Sequence, residues 1–327
     1  MSVAGPAWQG RRVLVTGGAG FIGSGLCHAL AAAGAEVVAL DAMLPEGGAS
    51  RANLQDSGVR LVEADLREAD LAPYAEGLDA VFNLAAQTSH AGSMADPFSD
   101  LAINATAQLR LMAALRAGSP KAVVVHASTR QFYGRPRYLP VDEKHPIAPP
   151  DANGVSKLAG EQYWLMEGRV HGRPVVSLRL TNCYGPRLRV KDARQTFLGI
   201  WFRRLLEGEP FEVWGGEQLR DLAYLDDVVA AFLRAAETPA CAGQAFNIGG
   251  APPVSLRELA ELAITANGSG HYVVKEFPAD RAPIDIGSFH ADDSAFRAAT
   301  GWAPAVSLPE GLRRSLDWFR PRLNQYL

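Results

Sequence analysis

Thr16-Gly17-Gly18-Ala19-Gly20-Phe21-Ile22-Gly23 follows an apolar run at 13–16 and leads into Ile22, Leu26 and Leu30 at helical spacing. In such a strand-turn-helix junction Gly17 permits the tight turn and Gly20 lets the backbone approach a pyrophosphate. Gly23 lets the helix pack close on the strand, and the helix N-terminus attracts the anion. Glycine triplets also occur in ordinary turns, so the flanks decide. Asp41 closes the next apolar run, about 20 residues on, where a carboxylate accepts hydrogen bonds from the adenine ribose hydroxyls. Ala42 follows, with no adjacent arginine to neutralise a 2′-phosphate, so the expected cofactor is NAD rather than NADP.

Working outward, apolar runs at 13–16, 37–41, 61–62, 80–84, 122–126 and 175–180 read as strands. They lack strict alternation, as strands buried on both faces do. Leu109, Met112 and Leu115 repeat at helical spacing before Gly118, as Ile22 to Leu30 do before Gly34. The pattern predicts an α/β fold with a doubly wound parallel sheet over residues 1–180. After Leu180 the alternation ends, and a smaller mixed α/β lobe is expected over 181–327, with a strand near 244–250 returning to the main sheet.

The 32 basic and 35 acidic residues supply neither a polycation for nucleic acid nor an acidic tail. Cys27, Cys183 and Cys241 have no metal-ligand or disulfide spacing, so no metal is expected and a reducing cytoplasm is. The start shows no signal-peptide pattern and no apolar run reaches membrane-spanning length, so no membrane partner is expected.

The octapeptide 16–23 resembles the opening of the extended short-chain dehydrogenases/reductases, the NAD-dependent nucleotide-sugar epimerase and dehydratase group with a Rossmann domain. The likeness runs almost the whole length. It implies that Gly17, Gly20, Phe21, Ile22 and Gly23 hold the NAD phosphates, that Asp41 takes the ribose, and that Asp65 and Leu66 meet the adenine. Leu84, Ala85 and Ala86, in Asn83-Leu84-Ala85-Ala86-Gln87, would line the cofactor, and Asn104 would support the active site.

Ser128-Thr129-Arg130-Gln131-Phe132-Tyr133-Gly134 resembles the segment whose Ser/Thr bonds the reacting sugar hydroxyl, which assigns Thr129 that role. By itself a Ser-Thr pair there is also a common turn or cap. Asn153-Gly154-Val155-Ser156-Lys157 resembles the family's Tyr-x-x-x-Lys helix, with asparagine in the tyrosine slot. A phenol can titrate toward neutrality beside a lysine; an amide cannot. Lys157 keeps its expected place on the nicotinamide ribose. Three alternatives stand: Thr129, His90, His145, Tyr163 or Lys157 moves the proton; the chemistry needs no tyrosine; or the domain binds without turnover. Arg130 and Gln131 occupy the slots of the acidic pair of related 4,6-dehydratases, which places epimerisation or simple oxidation ahead of dehydration.

Farther on, Asn182 in Thr181-Asn182-Cys183-Tyr184-Gly185-Pro186, Arg220 and Arg281 match residues that bind the substrate diphosphate in the family. For Arg220 a surface salt bridge is the plain alternative, and the basic stretch 187–194 either wraps phosphates or is a solvated loop. The resemblance implies an isomerase, specifically an NAD-dependent nucleotide-sugar epimerase that transiently oxidises a sugar hydroxyl and is homodimeric through the helices near Asn104 and Lys157. A nucleotide-sugar dehydrogenase, dehydratase or decarboxylase is the first competitor, and a catalytically silent binding protein the second.

Overall fold

The computed structural model describes residues 4–192, 196–250 and 252–327. Seven strands, β1 (Arg12–Thr16), β2 (Glu36–Asp41), β3 (Arg60–Glu63), β4 (Ala80–Asn83), β5 (Val123–Thr129), β6 (Val175–Leu180) and β7 (Gln244–Ile248), form one sheet in the order β7-β6-β5-β4-β1-β2-β3. Every pairing is parallel. The order reverses between β1 and β4, so the ligand crevice of such a sheet opens beyond the carboxyl ends of these two strands.

Alternation within β1 explains how the sheet is covered. Val13 and Val15 belong to a core on one face that runs through Phe82, Phe232 and Phe202 to Phe319. Leu14 points the other way, into a cluster with Val81, Leu111, Met112, Leu115 and Trp164. Truncating a fully buried leucine such as Leu14 to alanine costs about 2–5 kcal/mol.

The crossover helices are α1 (Phe21–Ala32), α2 (Ala107–Gly118) and α3 (Ala152–His171). In α2 the inward stripe is Leu111, Met112 and Leu115, while Leu109 is exposed; the expected periodicity put Leu109 on the wrong face. α3 starts at Asp151, whose carboxylate accepts from Gly154 N over 2.7 Å, and stops at Gly172, which takes the left-handed conformation. A π-helical turn, Ala102–Thr106, interrupts the helical run before α2 and carries Asn104.

Beyond β6 lie three two-stranded pairings: Asn182–Tyr184 with Leu222–Tyr224, Leu219–Arg220 with Val254–Ser255, and Phe211–Trp214 with Tyr272–Lys275. The helices Phe197–Glu207, Leu225–Glu237, Leu256–Asn267 and Leu308–Phe319 pack around them. Among the described residues no helix is long and apolar enough to cross a membrane.

Candidate functional site

The glycine turn lies at the switch point, wedged between β1 and the end of β4. Gly17 has φ +67°, and a Cβ there would sit 2.8 Å from the backbone of Leu84 and Ala85. A Cβ on Gly23 would collide with the Gly17 carbonyl, so both positions exclude side chains for reasons of space. Gly20 is the N-cap of α1 and no side chain caps the first turn, which leaves the helix end open to an outside anion. Thr16 Oγ1 receives Leu84 N and Ala85 N at 3.2 Å and donates to Asn83 Oδ1 over 2.7 Å, locking β1 to the start of the Leu84, Ala85, Ala86 segment.

Asp41 accepts from Ala19 N at 3.1 Å and Met43 N at 3.0 Å. Burial lifts its carboxyl above the ordinary value, against the pull of those two N–H groups. Asp65 is turned onto Arg67, 2.6 Å away, and Leu66 is buried with its carbonyl accepting from Arg110 Nε at 3.0 Å. A short uncapped glycine loop with a carboxylate at the end of β2 fits a dinucleotide.

β5 runs on to Thr129, three residues farther than the apolar run suggested. Thr129 Oγ1 accepts from Gln131 N over 3.1 Å, so the hydroxyl does cap a local turn, at the sheet's carboxyl edge. Across from it α3 presents Asn153 and, one turn on, Lys157, both buried. Asn153 Nδ2 donates to Gln87 O at 2.9 Å and to Asp100 Oδ2 at 3.0 Å. Asn104 Nδ2 donates to the same Asp100 oxygen at 3.1 Å, and Gln87 N donates to Asn104 Oδ1 at 3.1 Å. The amide at 153 is thus committed to a buried polar cluster.

Burial drives the Lys157 ammonium down to about 8, with Asp100 opposing. Burial, and then Lys157, depress His126 to about 3, so that imidazole is neutral. The other candidate proton carriers separate cleanly. His145 accepts Arg137 N on Nε2 and faces Pro146 O with Nδ1, both at 2.8 Å, so both ring nitrogens are used by backbone. Tyr163 is on the exposed side of α3. His90 Nδ1 lies 2.8 Å from Asp151 Oδ2, with the imidazole less than half exposed and the carboxylate fully buried. Although burial raises the Asp151 carboxyl, His90, Gly154 N and Gln131 outweigh it and hold the group below the usual range.

In the substrate lobe, Asn182 Oδ1 accepts from Arg130 Nη2 at 2.5 Å. Arg220 is buried and donates to Leu219 O at 2.9 Å and to Gly287 O, with Asp285 at 3.5 Å, so the expected alternative of a surface salt bridge does not describe it. Arg281 is stacked over Trp214, 4.8 Å from the ring centroid. Arg189 is tied to Asp192 and Gly47 O, whereas residues 193–194 of the basic stretch lie outside the described residues. Sequence reasoning missed Asp100, Asp151 and the buried Glu161–Arg179 pair, 2.7 Å apart, which joins α3 to β6 and passes through Tyr133 to Asn247 on β7. Only Asp151 left a signal, as an Asp just ahead of a helix.

The family model for the NAD dependent epimerase/dehydratase family matches residues 13–249, from the first strand to the seventh. The chain belongs to that family. It is an NAD-dependent enzyme of the epimerase/dehydratase type. It is 34% identical to the UDP-glucose 4-epimerase of Mycolicibacterium smegmatis over 94% of this chain and 98% of that one. Two solved epimerases share the fold: the UDP-glucose 4-epimerase of Thermotoga maritima with UDP-glucose, 30% identical with TM-score 0.87, and that of Thermus thermophilus with NAD, 31% identical with TM-score 0.85. Each match covers 95% of this chain and 99% of the other.

Proposed function

We propose that this family member is a nucleotide-sugar epimerase in which His90, backed by Asp151, moves the proton that a tyrosine moves elsewhere. The observation that carries this is the fate of residue 153. Asn153 stands one turn before Lys157, where the tyrosine is expected, but its amide is bound to Gln87 and Asp100. On the same helix end, Asp151 Oδ2 lies 2.8 Å from His90 Nδ1, a charge contact that does not meet hydrogen-bond geometry. A proton on Nδ1 would be favoured by the nearby carboxylate and would leave Nε2 as the nitrogen able to accept a proton.

NAD would accept a hydride from the sugar carbon and return it. The chain's own groups position the partners. Gly17, Gly20, Phe21, Ile22 and Gly23 take the cofactor phosphates; Asp41 takes the ribose; Asp65 and Leu66 take the adenine. Leu84, Ala85 and Ala86 line the nicotinamide half, and Lys157 bonds its ribose. Thr129 holds the reacting hydroxyl, while Asn182, Arg220 and Arg281 hold the nucleotide diphosphate. Residues 1–180 with β7 act as the cofactor domain and 181–327 mainly as the substrate lobe. Exposed Phe98, Leu101, Leu109 and Val155 along the helices near Asn104 and Lys157 support a homodimer, and three unpaired cysteines suit a reducing cytoplasm.

Incubation with a panel of nucleoside diphosphate sugars, following products by chromatography and reduced nicotinamide by absorbance, tests the proposal. An epimeric product without net reduction is expected. Net reduction assigns a dehydrogenase instead, and binding without product assigns a silent protein. Sedimentation of wild type and Phe98→Asp tests the dimer, which the charge should dissociate.

A further inference from the structure

Arg130 is a half-buried cation with one guanidinium nitrogen left unpaired. It follows Thr129 at the carboxyl end of β5 and reaches into the substrate lobe, where Nη2 donates to Asn182 Oδ1 over 2.5 Å. Its guanidinium lies over the Phe289 ring, 4.9 Å from the centroid. Nη1 is sealed from solvent and has no hydrogen-bond partner. Asp221 and Asp285 attract the guanidinium, but both carboxylates have other partners. Asp221 accepts from Thr181 Oγ1 and from Ala291 N; Asp285 accepts from Gly287 N at 2.9 Å and faces Arg220 at 3.5 Å. Arg220 itself repels Arg130, and burial first and that repulsion second press the guanidinium down to about 10, which still leaves it charged at neutral pH.

A charged donor left unsatisfied in this setting destabilises the folded chain. A neutral side chain would avoid that cost, so the arrangement makes sense if an anion completes it. Phosphate and carboxylate are both matched by a guanidinium's paired donors. Position discriminates between them. Thr129, next to Arg130 in the chain, is the proposed holder of the reacting hydroxyl, and Asn182, which Arg130 bonds, is with Arg220 a proposed diphosphate ligand. Between a reacting C4 and the anomeric phosphate, a hexuronate carries its carboxylate on C5.

Building on the nucleotide-sugar reading, we infer that Arg130 binds a carboxylate on the sugar ring and that the substrate is an acidic sugar nucleotide. Isothermal titration of the NAD-loaded protein with UDP, UDP-glucose and UDP-glucuronate decides it, using wild type, Arg130→Met, Arg130→Lys and Arg220→Met. Wild type should bind UDP-glucuronate most tightly. Arg130→Met should lose about 10- to 100-fold in affinity for UDP-glucuronate, the scale of charge-assisted hydrogen bonds, with UDP and UDP-glucose held within about 3-fold, less than 1 kcal/mol. Arg130→Lys, which keeps the charge but not the paired donors, should recover part of the loss, and Arg220→Met should weaken all three ligands. A thermal melt that shows Arg130→Met folded validates the comparison, and if it fails to fold, Arg130→Lys carries it. Equal weakening of all three ligands by Arg130→Met assigns the residue to the diphosphate and overturns the inference, as does no weakening at all. Failure of wild type to bind any of the three overturns a uridine nucleotide as the carrier, and failure of the same titration with the dTDP, GDP and CDP forms as well overturns the nucleotide-sugar reading itself.

Discussion

Asn153 and Asp100 are joined by a 3.0 Å hydrogen bond from amide to carboxylate, inside a cluster that Gln87 and Asn104 complete. Asp100 is fully buried and its other oxygen, Oδ1, has no partner, so each donor it retains matters. Asn153→Ala removes one of these donors and is expected to lower stability by about 2–3 kcal/mol. Asn153→Asp sets a second carboxylate against Asp100, which raises the folded-state pKa of the pair above its unfolded value. The penalty is then absent in acid, where the shared proton is bound, and grows as pH rises through the raised pKa. Urea unfolding at pH 5 and pH 8 checks this, and equal stability of Asn153→Asp and wild type at both values would show that the two side chains do not interact.

The glycine turn permits a test that leaves the substrate lobe untouched. A Cβ on Gly23 has nowhere to go but into the Gly17 carbonyl, so Gly23→Ala must open the turn at a cost of about 1–3 kcal/mol. NAD affinity should drop roughly tenfold or more, while titration with UDP should be unchanged. Unaltered NAD binding would remove the cofactor from this turn.

The parallel sheet was legible because its strands are apolar runs set between helical periods and glycines, information that is local in the chain. So was the turn at 16–23, where Gly17 and Gly23 leave no room for a side chain. The short pairings beyond Leu180 were not. Leu219–Arg220 pairs with Val254–Ser255 across a long stretch of chain, and two-residue strands carry no periodicity. The same reason hid the Glu161–Arg179 pair: it depends on α3 lying against β6, a packing fact that neither segment records. Leu109 misled because a leucine at helical spacing suits a core stripe and an exposed helix face equally well. Asn153 could be placed by its distance from Lys157, yet nothing in the sequence disclosed that its amide would turn toward Asp100.

His90 can be separated from a purely structural residue by a split between kcat and substrate binding. His90→Asn should lower kcat by about 10²- to 10⁴-fold and leave the dissociation constant of the sugar nucleotide unchanged. Asp151→Asn keeps an oxygen for Gly154 N and so retains the helix cap, but it loses the charge facing Nδ1; a smaller fall in kcat is expected. An unchanged kcat in His90→Asn would return the proton to Lys157 or Thr129.

Lys157 makes a claim on stability as well as on the cofactor. Its ammonium is buried, and burial takes its pKa from 10.5 to about 8 despite Asp100. Because the folded value is the lower one, the unfolded chain binds the proton more tightly. The resulting destabilisation is complete below about pH 8, shrinks as pH rises, and vanishes above the ordinary lysine value. At about 1.4 kcal/mol per unit its full size is about 3 kcal/mol. Lys157→Met keeps the stem and drops the charge, so without NAD it should be more stable than wild type at pH 7, by up to about 3 kcal/mol, and the gap should narrow toward pH 10. The same substitution should weaken NAD binding, because the ribose loses its donor. Chemical denaturation at the two pH values, with NAD titration at pH 7, measures both effects. A gap that stays constant with pH would mean that the lysine is not held charged against its burial, and that the space before β5 is wetter than its enclosure by Asp100, His126 and Asn153 implies.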